Sequence, residues 1–173
     1  MKLTEGIIPG LFTIESPVHR DDRGGFTRAC CRDTFREAGI TFAPVQSNLS
    51  ANTHLHTRRG LHFQQPPIAW AKLVRWVAGR IRDVAVDLRA GPGFGKSQAV
   101  DLSAASADAV YLPKRLAHDF LTLTPYAVIL YKMASAHVPG KAAGIPWNDS
   151  DLRISWPAHP DLISPSDAIW PLL

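Results

Sequence analysis

Breakers set the scale on which this chain can build regular structure: 14 prolines and 12 glycines are spread along 173 residues. Proline fixes φ and removes a backbone donor, while glycine supplies the turn conformations that other residues avoid. The runs between them are short and apolar, and few carry a long helical pattern. Such regular punctuation predicts an all-β fold, a barrel or a sandwich, rather than an α/β fold.

Residues 6–14 read as a short strand ending at Pro17, and the charged run 19–25 reads as a loop. The best helix spans 32–38, where Asp33 and Glu37 stand four apart, Phe35 supplies an apolar contact and Gly39 can terminate in the left-handed region. Two apolar-rich runs, 72–78 and 81–89, flank Gly79-Arg80 and predict a hairpin. Within the second, alternation puts Ile81, Asp83, Ala85, Asp87 and Arg89 on one face and Arg82, Val84, Val86 and Leu88 on the other. Further strands are predicted at 97–102, 109–112, 118–122 and 127–134, a spacing that suits a barrel or jelly roll. Beyond Pro139, repeated prolines leave an irregular tail expected to pack over the barrel.

Length predicts one domain over 1–173. Nineteen basic residues against 15 acidic give a net charge of +4, scattered rather than blocked. A small anionic ligand fits this better than nucleic acid. No apolar run approaches the roughly 20 residues needed to span a bilayer, and the first residues lack a signal-peptide core, so a cytoplasmic protein without a membrane partner is expected. Cys30 and Cys31 are adjacent, which provides neither a disulfide framework nor spaced thiolates for zinc.

The most informative stretch is Arg59-Gly60-Leu61-His62-Phe63-Gln64, followed by Lys72-Leu73-Val74. Strand alternation would face Gly60, His62 and Gln64 together, with Leu61 and Phe63 opposite. An isolated histidine is more often a structural polar group than a reactive one. The ordered set changes that reading. Asp22-Arg23-Gly24, the two segments above, Asp83-Val84-Ala85-Val86-Asp87-Leu88-Arg89, Phe94-Gly95-Lys96, Ala117-His118, Tyr131-Lys132, Trp147-Asn148-Asp149, Trp156-Pro157 and Ser164-Pro165-Ser166-Asp167-Ala168 occur in sequence. Together they resemble the dTDP-4-dehydrorhamnose 3,5-epimerase family over nearly the whole chain.

The resemblance implies a cupin-type jelly-roll barrel with short peripheral helices. It also implies a homodimer with no metal or organic cofactor, inverting carbon 3, carbon 5 or both of a nucleotide-diphosphate 4-keto-6-deoxyhexose. Carried over to matching positions, His62 is the base, Asp167 its orienting carboxylate, Lys72 the partner of the ketone oxygen and Tyr131 the acid on the opposite face. Arg23 and Arg59 match positions that contact the nucleotide, Phe26 the residue stacked on the base, and Gln46 and Asn48 the polar strand beside the sugar. His118 and Asp83 match polar residues inside the barrel, either a support for the site or a buried structural pair. These types suit the chemistry. A cation at the ketone oxygen stabilises the enolate left when a neighbouring carbon loses its proton, and histidine accepts that proton near neutral pH.

Three positions depart from the family. Arg28 replaces a glutamate that accepts a bond from thymine, so the base preference moves away from thymine, or Arg28 meets the diphosphate, or it turns to solvent. His137 stands where a tyrosine lies near the sugar, and Asp119 where a glycine is usual. Two rival readings are a sugar-nucleotide binder that does not epimerise, and a metal-dependent cupin using His54, His56 and His118. Against the latter, no carboxylate follows His56 closely and Arg58-Arg59 opposes a cation.

Overall fold

A computed structural model describes residues 1–173. It opens with β1 (Lys2–Glu5) and β2 (Phe12–Glu15), paired antiparallel. The strand expected at 6–14 is therefore divided. Its first part is a turn, closed by the Gly6 amide donating to the Leu11 carbonyl at 2.9 Å and by Gly10 at φ +81°. The charged run expected as a loop is a ribbon of its own, β3 (Val18–Asp21) and β4 (Gly24–Thr27), which pair only with each other. Its strands carry too few apolar residues to show alternation. The Asp21 carboxylate bends the chain by accepting the Arg23 amide at 2.9 Å.

Helix α1 (Arg32–Glu37) lies where predicted. Gly39, at φ +75°, ends it, and the Ile40 amide returns to the Phe35 carbonyl at 2.8 Å. Then follow β5 (Gln46–Asn52), β6 (Arg58–Gln64), β7 (Lys72–Ala78), β8 (Arg80–Asp87) and β9 (Ser97–Ser103). After them come β10 (Ala109–Leu112), β11 (Leu116–Thr122), β12 (Ala127–Met133) and β13 (Ala142–Gly144).

Two sheets form, in the orders β1-β2-β10-β7-β12-β5 and β13-β6-β11-β8-β9. The predicted hairpin between 72–78 and 81–89 does not exist: β7 and β8 belong to different sheets and face each other across the core. Alternation marks which side chains are buried, and it is silent on whether the burying neighbour lies beside a strand or opposite it. Val74, Trp76, Ile81, Ala85, Val110 and Phe120 meet in that core, as a jelly roll requires. The outer face of the first sheet is covered by α1, through Phe35 against Phe42 and Tyr111. The tail covers the outer face of the second, where Ile145 and Leu152 pack on Leu61, Val84 and Val86. The expected division of faces along β8 is thus observed, with both sides buried. No helix is long and apolar enough to cross a membrane.

Gly79 carries the chain from one sheet to the other at φ +77°, and a Cβ there would stand 2.8 Å from the Tyr126 carbonyl oxygen and 2.9 Å from the Ala127 Cα. Strain and overlap together cost about 2–4 kcal/mol. Gly79→Ala should lower the urea-unfolding free energy by that amount without changing the m-value; an unaffected midpoint would mean the corner is not constrained as described.

Candidate active site

At one end of the barrel the inner faces of the two sheets turn polar around a cavity of about 800 Å³. A bulge in β6 shapes one wall. His62 is in register with His118 and Arg59 with Phe120, so Gly60 and Leu61 together oppose Asp119 alone. The extra residue breaks strict alternation, and Arg59 shares the cavity with His62. The expectation that Gly60 and His62 lie on one continuous face is corrected by this bulge. Gly60 has φ +148° and no room for a side chain, since a Cβ would come within 2.6 Å of the Asp119 Cα.

His62 Nε2 and Asp167 Oδ1 are 2.6 Å apart, joining β6 to a segment 105 residues later. Burial opposes ionisation of Asp167, but hydrogen bonds from His62, Ser164 and Trp170 hold it below the usual carboxylate range. An ionised carboxylate only accepts, so in this bond Nε2 carries the hydrogen. Asp167 is aimed by a parallel bridge between Thr57 and Leu162, by the Arg58 amide donating to the Leu162 carbonyl at 2.9 Å, and by its own amide donating to Ser164 Oγ at 3.1 Å.

The facing wall comes from the other sheet. Lys72 and Tyr131 line the same cavity from β7 and β12. Burial pushes the Lys72 ammonium down to about 8, against the attraction of Asp83. Its Nζ stands 4.9 Å from the Trp70 ring centroid. Burial raises the Tyr131 hydroxyl far above its ordinary range, so it remains a donor. His118 Nε2 is 2.6 Å from Asp83 Oδ2, and the ring lies edge-on to Tyr131 at 6.3 Å. Burial lowers the His118 pKa despite that carboxylate.

Asn48, Arg59 and His137 also line the cavity. Arg59 Nε donates to Asn52 Oδ1 at 2.8 Å, and His137 stacks on Trp70 at 5.8 Å. Gln46 bonds Asn48 at 3.0 Å and the His137 amide at 3.1 Å, just outside the lining. Arg23, Phe26 and Arg28 do not reach it. Arg23 pairs with Asp21 on the ribbon, Phe26 is 76% exposed, and Arg28 extends to Cys31 Sγ at 3.8 Å. Nor do the three histidines weighed as metal ligands converge: His54 bonds Thr53, His56 bonds Asp161 and His118 is committed to Asp83. Sequence reasoning missed Trp70, Trp170 and Arg58, all of which line the cavity. Trp70 precedes Lys72 by two residues and Trp170 follows Asp167 by three, the one signal that could have marked them.

Comparison with known proteins shows the family that the chain resembles. The family described as dTDP-4-dehydrorhamnose 3,5-epimerase matches residues 5–173. The dTDP-4-dehydrorhamnose 3,5-epimerase of Salmonella typhimurium is 40% identical over 172 residues, covering 96% of this chain and 92% of that protein. A crystal structure of the Bacillus anthracis enzyme with TDP and PPi bound is similar at 36% identity, with a TM-score of 0.96 and 99% of both chains covered. A Legionella pneumophila 3,5-epimerase in complex with dTDP-4-keto-L-rhamnose is 34% identical, TM-score 0.93, covering 99% of this chain and 92% of that one.

The buried ammonium has a thermodynamic signature. Lys72 falls from 10.5 to about 8 on folding, so the unfolded chain binds the proton more tightly. Stability is therefore reduced below about pH 8 and recovers as pH rises toward 10.5. Lys72→Met should raise the unfolding free energy at pH 7 by about 1–3 kcal/mol, and the gain should shrink above pH 8. A destabilised Lys72→Met protein would contradict the burial cost.

Proposed function

The chain belongs to the dTDP-4-dehydrorhamnose 3,5-epimerase family, and on that premise we propose how its own residues perform the reaction. It is a cupin-type isomerase that epimerises carbon 3, carbon 5 or both of a nucleotide-linked 4-keto-6-deoxyhexose. The observation that carries the proposal is the distribution of reactive groups over two facing walls: His62 on β6 of one sheet, Lys72 and Tyr131 on β7 and β12 of the other.

A sugar ring held between these walls presents one face to His62 and the other to Tyr131. His62 takes the proton from the carbon beside the ketone. The C–H electron pair forms the enolate double bond, and the carbonyl π pair moves to oxygen, where the Lys72 ammonium stabilises it. Asp167 holds the imidazolium that results. Tyr131 returns a proton to the opposite face, and bulk water restores both groups for the next turnover. Carbons 3 and 5 both flank carbon 4, so one ammonium serves either inversion. His118 lines the cavity with its Nε2 bonded to Asp83 behind it; the Asp83 charge attracts Lys72 and keeps it an ammonium to higher pH than burial alone would allow.

Arg59 is placed for the diphosphate, since its planar fork makes paired charge-assisted bonds to such oxygens. Asn48, Gln46 and His137 border the sugar end. We place Arg23 and Phe26 in a homodimer, where an exposed ribbon crosses to a second copy; the exposure of Phe26 and of the Arg23 side chain, 76% and 90%, supports this. In that arrangement Arg28 borders the base end. Residues 1–173 act as one domain, in the cytoplasm, where Cys30 and Cys31 stay reduced.

Incubating the protein with a dTDP-4-keto-6-deoxyglucose substrate in heavy water should wash deuterium into carbon 3, carbon 5 or both. His62→Ala should slow this exchange by about 10³-fold while leaving the circular dichroism spectrum unchanged. Exchange at the parent rate would remove His62 from the mechanism, and a parent protein that binds without exchange would favour the binding-only alternative.

A further inference from the structure

Between β6, β11 and the tail, beside the His62 wall, lies an ion pair that the reaction as written does not use. Arg58 and Asp119 are both side-chain buried to 0% exposure and joined through Arg58 Nη2 and Asp119 Oδ2. Register places them together: Arg58 opposes Leu121, whose side chain faces outward with that of Asp119, and the bulge at Gly60 leaves room for Asp119 beneath it. The Arg58 guanidinium lies over the Trp156 ring at 3.7 Å and near Trp147 at 5.1 Å. Its Nε and Nη1, and Oδ1 of Asp119, have no hydrogen-bond partner.

The Arg58 backbone also holds the segment that delivers Asp167. Its amide fixes Leu162, its side chain packs under Trp156, and it lines the cavity beside that segment. A lone guanidinium buried there would oppose formation of the His62 imidazolium, which proton abstraction requires. Resting on the epimerase reading above, we propose that Asp119 is a positioning residue for the catalytic base: it neutralises the buried Arg58 guanidinium beside the Asp167 segment so that His62 can accept charge.

The charges that act on Asp119 are few. Arg58 and His62 come from β6 and Asp167 from the tail, while its partner in register on β8 is the uncharged Val84. Burial pushes the Asp119 carboxyl up to about 7, with the Arg58 charge and hydrogen bond opposing it and His62 and Asp167 adding smaller opposite effects. As pH falls through that value the carboxylate is neutralised, and the guanidinium beside the base is left unbalanced. The acid limb of the rate profile therefore carries one proton more in the parent than in a variant without the Asp119 carboxyl.

The test is the pH dependence of heavy-water exchange in the full chain, for the parent, Asp119→Asn and the double variant Arg58→Leu/Asp119→Gly, with thermal unfolding alongside. Asp119→Asn should lower kcat about tenfold with KM little changed, and its acid limb should fall with a slope one proton smaller than the parent's. The double variant, lacking both charges, should unfold at a higher temperature than Asp119→Asn and regain most of kcat, while keeping that smaller slope. Should Asp119→Asn fail to fold, the slope decides alone: one proton fewer in the double variant than in the parent. Parent kcat in Asp119→Asn, or the parent's slope in the double variant, would overturn the assignment. A parent that exchanges no hydrogen would refute the epimerase reading instead, so the two failures are told apart.

Discussion

Face-to-face packing of the two sheets governs both stability and chemistry. The alternation that sends Val74 and Trp76 of β7 and Ile129 of β12 into the core also sends Lys72 and Tyr131 inward at the open end. The opposing sheet does the same with Ile81, Phe120 and His118. One set of strand registers therefore fixes an apolar plug and, directly above it, two polar walls. The plug carries much of the hydrophobic gain that allows an ammonium, two histidine–carboxylate pairs and a phenol to be held in or beside a low-dielectric cavity.

The second wall is adjusted locally. Without the bulge at Gly60 and Leu61, strict alternation would turn Arg59 and His62 to opposite sides of β6. With it, Arg59 and His62 share one compartment, and Arg58 meets Asp119 and the tail. The tail contributes through Asp167, so the His62–Asp167 pair forms only when residues far apart in sequence have docked.

Most strands were legible from their apolar alternation and flanking breakers, and α1 from its Gly39 stop. The ribbon at 18–27 escaped because charged strands paired only with each other carry no hydrophobic period. The hairpin at Gly79 was misread because facing strands and paired strands bury the same residues. The family resemblance pointed to His62, Lys72, Tyr131 and Asp167, and the fold brings all four to one cavity. Trp70, Trp170 and Arg58 were not, because an aromatic or an arginine next to a motif has no pattern until the cavity is closed around it. The distance of Arg23, Phe26 and Arg28 from the cavity was equally unreadable, since it depends on where the ribbon swings.

The proposed inversion by opposite walls separates proton removal from proton return, and Tyr131→Phe isolates the two. In heavy water this variant should still exchange the hydrogen beside the ketone, because His62 and Lys72 remain, and the product should keep the configuration of the substrate. Inversion at the parent rate by Tyr131→Phe would contradict the two-wall account.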